Sequence, residues 1–101
     1  MKNNKHKFLK ETVLNLIPEE KANRITLRQL GNLTSLSYRK LKKIITELRK
    51  NYPICSQETD GGGYWMAESE KDILDFINMI DRRRQGYTNT ILLMSDHLRN
   101  F

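Results

Sequence analysis

Between Ser37 and Lys50 the apolar residues Leu41, Ile44, Ile45 and Leu48 fall at i, i+3, i+4 and i+7, the spacing of one stripe down an α-helix. Tyr38, Arg39, Lys40, Lys42, Lys43, Thr46 and Glu47 fall elsewhere on the cylinder. One face of this helix is core and the opposite face is cationic, so it needs a packed apolar layer behind it and open space in front. A chain of 101 residues, 38% of them hydrophobic, is long enough to supply one such small core.

The flanking segments define how the helix is held. Phe8, Leu9, Val13, Leu16 and Ile17 recur at helical spacing and predict a first helix that stops before Pro18. After a short polar segment, Thr26 with Gln29 three residues on forms a capping-box signature, so a second helix is expected from about Leu27 to Leu33, with Leu27, Leu30 and Leu33 as its apolar set. Thr34 to Leu36 then make a brief turn before Ser37, a second N-cap. Beyond Asn51 and Pro53, Ile54 to Ser56 read as a strand, Gln57 to Gly63 as a turn ending in three glycines, and Tyr64 to Met66 as a returning strand. Arg24 to Thr26 is placed to add a brief third strand. Of Tyr64 and Trp65, which point to opposite sides of a strand, Trp65 is expected in the core.

Ser69 opens the last element as an N-cap, with Glu70 and Asp72 in the first turn, where the helix dipole favours negative charge. From there Ile73, Ile77, Ile80, Arg84, Tyr87, Ile91, Met94 and Leu98 alternate spacings of four and three, a heptad seam with one arginine in it. Gly86 leaves open a bend, or two helices joined near Gln85. The expected fold class is mostly α with a small β-hairpin: helix-turn-helix plus hairpin over residues 1–67, then a long C-terminal helix over 68–101. Those seam residues are the candidate interface of a homodimer; packing back on the first helix is the other use for them.

Charge narrows the partner. The formal charge is +6, from 18 Lys and Arg against 12 Asp and Glu, which suits a polyanion: nucleic acid or an acidic membrane surface. The excess is local. Arg39, Lys40, Lys42, Lys43, Arg49 and Lys50 stand against Glu47 alone, whereas Glu58, Asp60, Glu68, Glu70, Asp72, Asp75 and Asp81 stand against a single Lys71. Lys2, Lys5, Lys7 and Lys10 read as a solvated basic arm. No apolar run approaches the roughly 20 residues of a membrane span, and the start MKNNKHK lacks the apolar stretch of a secretory signal, so no membrane partner and a cytoplasmic location are expected.

A helix about 10–12 Å across fits the DNA major groove, where the first residues of a recognition helix reach base edges. The candidate DNA contacts are therefore Ser37, Tyr38, Arg39, Lys40, Lys42 and Lys43. Arg39 suits a bidentate contact to guanine, the lysines suit phosphates or bases, and Tyr38 suits a thymine methyl or a phosphate. In the hairpin Gln57 and Thr59 are candidate contacts, although the acidic charges of this turn repel phosphate. No catalytic constellation is present. His6 and His97 lack neighbours for a metal site, Gly61 to Gly63 are not followed by the Lys-Ser/Thr of a phosphate-binding loop, and the lone Cys55 forms neither a disulfide within the chain nor a thiolate cluster. The expectation is sequence-specific binding of double-stranded DNA, with no enzyme activity and no cofactor.

The residues Leu36-Ser37-Tyr38-Arg39-Lys40-Leu41, then Ile45, Leu48-Arg49, Pro53-Ile54-Cys55-Ser56 and Gly63-Tyr64-Trp65-Met66 resemble winged helix-turn-helix proteins encoded by phages and prophages of Gram-positive bacteria. The resemblance spans about half the chain. It implies that the helix beginning at Ser37 enters the groove, that the hairpin from Cys55 to Met66 is the wing, and that the protein is a transcriptional regulator or replication-associated DNA-binding protein in the bacterial cytoplasm. It also implies a second use: small phage winged helices serve as inhibitors of host proteins, including defence nucleases. The acidic wing tip departs from the family pattern.

Overall fold

The structure, a computed structural model, describes residues 2–100, with side chains from residue 4 onward. The order of elements is α1 (Lys2–Leu16), a 3-10 turn (Lys21–Asn23), α2 (Leu27–Thr34), α3 (Tyr38–Leu48), β1 (Ile54–Gln57), β2 (Gly63–Met66) and α4 (Glu70–Leu98). The chain is thus mostly helical, a helix-turn-helix followed by a two-stranded antiparallel hairpin and a long C-terminal helix.

Helices α1, α2 and α3 enclose one core made of Val13, Ile17, Leu30, Leu41, Ile44, Ile45 and Leu48, closed below by Ile54 of the hairpin. The α3 stripe is buried along its whole length, as its spacing predicts. Both capping signals form: Thr26 Oγ1 accepts from Gln29 N at 3.1 Å while Gln29 Oε1 accepts from Thr26 N at 2.8 Å, and Ser37 Oγ accepts from Lys40 N at 3.2 Å. Ser35, in the left-handed region at φ 60°, ends α2 and reverses the chain into α3.

Three expectations change. Helix α1 begins at Lys2 rather than Phe8, so Lys5, Lys7 and Lys10 ride on a helix instead of a loose arm; the side chain of Lys2 lies outside the described residues. No breaker precedes Phe8, and a contact from His6 to α3 holds the added turns. Phe8 itself is 66% exposed, and the burial falls on Leu9, Val13 and Ile17. In α2, Leu33 is 64% exposed, because residues spaced three apart drift around a helix of 3.6 residues per turn and carry Leu33 off the face that buries Leu30. The third strand shrinks to one bridge, Ile25 to Tyr64, with N–H···O distances of 3.0 and 2.7 Å.

The hairpin pairs Ile54 with Met66, Cys55 with Trp65, Ser56 with Tyr64 and Gln57 with Gly63. Trp65 is buried and its Nε1 donates to Asp72 Oδ2 at 3.1 Å, which ties β2 to the first turn of α4. Helix α4 runs unbroken for 29 residues, through Gly86, so the pair of helices joined near Gln85 does not occur. Around Gly86 nothing lies within 4 Å of where a side chain would start, and the position costs only helix propensity. Helix α4 meets the domain along Asp72, Phe76 and Arg83, contacts that cross the division expected after Ala67; Arg83 pairs with Glu58 of the hairpin, and the Arg49 guanidinium lies 4.6 Å from the Phe76 ring.

Candidate nucleic-acid interface

Burying Leu41, Ile44, Ile45 and Leu48 turns the opposite side of α3 outward. Ser37, Tyr38, Arg39, Lys42 and Lys43 are exposed and Lys40 is half-buried. Among the described residues none of Arg39, Lys40, Lys42 and Lys43 pairs with a carboxylate, so their charges face solvent. Helical geometry separates their directions. Arg39 and Lys43, four apart, form the outermost ridge. Tyr38 and Lys42 turn toward the hairpin, where with Arg28 of α2, Gln57 and Gly62 they line a groove between helix and wing. Lys40 turns the other way, lining a second groove with Lys5 of α1 and Ser37.

Two other charges of this segment, Glu47 and Arg49, are structural, and Lys50 is exposed. Glu47 accepts from His6 Nε2 at 2.7 Å and lies 3.9 Å from Lys10 Nζ, a brace between α3 and α1; the bond from His6 holds the Glu47 carboxyl below its usual range. Arg49 donates from Nε to the Ile54 carbonyl at 2.9 Å and from Nη2 to Ser56 Oγ at 3.4 Å, and burial lowers its pKa. Of the cluster read as one basic run, Arg49 is spent on joining helix to hairpin.

The wing is built by a residue whose role the sequence does not announce. Arg24 donates from Nε to the Gly62 carbonyl at 2.9 Å, from Nη2 to the Asp60 carbonyl at 2.8 Å and from Nη1 to the Lys21 carbonyl at 3.2 Å. One guanidinium therefore fixes the turn from below. Asp60, Gly61, Gly62 and Gly63 all have positive φ. At Gly63 the requirement is strongest: a Cβ there would stand 2.8 Å from Arg24 Cγ, so the arginine side chain would have to shift. The wing candidates are modest. Gln57 donates its amide to the Thr59 carbonyl at 3.0 Å and is half-buried, whereas Thr59 is exposed. Glu58 is drawn back into its pair with Arg83, which leaves the Asp60 carboxylate as the acidic group at the tip.

No family model, curated protein or solved structure matches the chain.

The interface must therefore be read from its own residues. Arg28 joins the candidates only through structure, since it sits in the first turn of α2 and lines the same groove as Tyr38 and Lys42. Its signal was weak in sequence because one exposed arginine on a short helix looks like any solvated charge. Elsewhere chemistry is sparse. Among the described residues no three or more His, Cys, Asp or Glu side chains cluster as metal ligands, and no helix is long and apolar enough to cross a membrane. Cys55 is buried against the core, and the loss of solvent pushes its thiol pKa up, away from the reactive thiolate. The seam residues of α4 are all on the exterior, from Ile73 at 38% exposed to Leu98 at 73%.

Proposed function

We propose that this chain binds double-stranded DNA sequence-specifically, with α3 in the major groove, as a phage-type transcriptional regulator or replication-associated protein of the bacterial cytoplasm. The observation that carries the reading is the Arg39–Lys43 ridge: free cations on the outer side of a helix whose inner side is rigidly buried, flanked by two further cation-lined grooves. Rigid mounting matters because base readout needs side chains held in register, while loose lysines supply only nonspecific attraction.

In this reading Arg39 takes the base contact, Lys42 and Lys43 take base or phosphate, and Tyr38 packs at the wing side. Lys40 with Lys5 on one flank and Arg28 on the other reach the two phosphate backbones that border the groove. Gln57 and Thr59 play at most a backbone role, since the Gln57 amide is already engaged. The reading includes no catalytic step and no cofactor.

Fluorescence polarisation on DNA from around the chain's own gene, set against unrelated duplex, tests it. Affinity should fall steeply as salt rises, with a log–log slope of about −0.9 per phosphate neutralised. Arg39→Ala with Lys43→Ala should weaken binding at least about tenfold and flatten discrimination between the two duplexes. Binding unchanged in that double variant removes α3 from the interface. Absence of binding to any duplex at low salt defeats the DNA reading and turns attention to a protein target such as a host nuclease.

A further inference from the structure

Helix α4 touches the domain through Asp72, Phe76 and Arg83, and its heptad seam lies about a quarter-turn round the cylinder from them. The seam is thus only partly covered by its own chain, from Ile73 and Ile80 at 38% and 41% exposed to Leu98 at 73%. Past Arg84 the helix is bare on every side: Tyr87 is 70% exposed and Ile91, Leu92, Leu93, Met94 and Leu98 are all exposed. A helical end this apolar, with no tertiary packing, is marginal in water. The seam offers apolar area on the order of the ~800 Å² per partner that a specific interface buries.

The occupant that fits an a/d repeat with a single arginine in it is another such repeat, and Arg84 bears on how the two lie. Arg84 donates from Nε and Nη2 to Asp81 Oδ1 of its own helix, at 3.0 and 2.8 Å, which offsets part of its charge; in a parallel pair it would still face the partner's Arg84 across the seam, with Arg82 and Arg83 of both chains at the same level. In an antiparallel pair centred between Gln85 and Gly86, every layer matches. Ile73 meets the partner's Leu98, Ile77 meets the partner's Met94, Ile80 meets the partner's Ile91, and the Arg84 guanidinium lies against the partner's Tyr87 ring. The bare segment from Tyr87 to Leu98 then sits on the part of the partner's seam that adjoins its domain.

We propose that α4 pairs antiparallel with α4 of a second copy of this chain, Arg84 stacking on the partner's Tyr87. The pairing stands apart from the DNA reading, because it uses no residue of α3 or the wing.

Sedimentation of the full chain should show a dimer in the micromolar range. Ile91→Asp should raise its dissociation constant about a hundredfold or more, while circular dichroism and Trp65 fluorescence report an intact domain, since Ile91 touches none of it. Orientation is read by disulfide trapping in a Cys55→Ala background. Ile80→Cys and Ile91→Cys should cross-link to each other when mixed and not to themselves. Self-cross-linking of each variant alone, no cross-link in the mixture, a dimer that survives Ile91→Asp, or a monomeric full chain overturns the proposal.

Discussion

At Gly63 the backbone passes so close to Arg24 that even a methyl group would push the arginine side chain aside, and its φ of +125° is one that L-residues rarely adopt. Both penalties act together there. At Gly61, φ is +86° but nothing lies within 4 Å, so only the conformational penalty applies. Gly63→Ala should therefore cost about 3 kcal/mol and Gly61→Ala about 1 kcal/mol, measured as unfolding free energies in urea. Equal costs would mean that the Arg24 contact yields freely. The core stripe and the helix caps were legible at this scale because each is a local pattern, spread over no more than two turns. Arg24 was not, because its three carbonyl partners include residues 36 and 38 positions away and nothing near it in sequence points to them.

Among elements, the joint between β2 and α4 rests on Asp72. Its Oδ2 accepts from Glu68 N at 2.9 Å and from Trp65 Nε1 at 3.1 Å, while its own N–H donates to Ser69 Oγ at 3.4 Å. The Glu68 amide, then the Trp65 indole, hold its carboxyl below the ordinary value of 3.8. Because the folded value is the lower one, the ionised carboxylate stabilises the fold above pH 3.8, and that contribution is lost as the pH drops through the folded value. Asp72→Asn should accordingly lower the melting temperature at neutral pH, with the gap from the parent chain narrowing below pH 3.8. A gap that stays constant with pH would assign the loss to geometry and not to charge. The sequence placed Asp72 correctly in the first turn of α4 on dipole grounds, but the indole it binds is a tertiary fact. Element boundaries followed the same division: capped ends were legible, while the early turns of α1 meet α3 through His6 and Glu47, 41 residues apart.

For the whole molecule, the long helix has two parts with different dependence on the rest. Its first half, to Arg83, carries the Trp65, Arg49 and Glu58 contacts; its last third carries none to the core. A chain ending at Gln85 should keep the melting behaviour of the domain, apart from any contribution of pairing, whereas one ending at Ala67 should lose about 2–4 kcal/mol, with differential scanning calorimetry as the measure. Similar melts for both shortened chains would show that the first half of α4 is dispensable. That the domain does not bury the whole seam could be suspected from its length. Which face meets the domain could not, since Phe76 is as apolar as the seam residues and only packing separates them.

The bare end of α4 also sets a clock on its backbone. Amides between Leu41 and Leu48 sit behind a closed core and exchange with solvent deuterium only when the domain opens, while those from Tyr87 onward are shielded by nothing beyond their own helical bonds. In one isolated chain the two segments should differ by orders of magnitude in exchange lifetime. Any companion that settles on the helix will be written into the slow end of that record, residue by residue, before its identity is known.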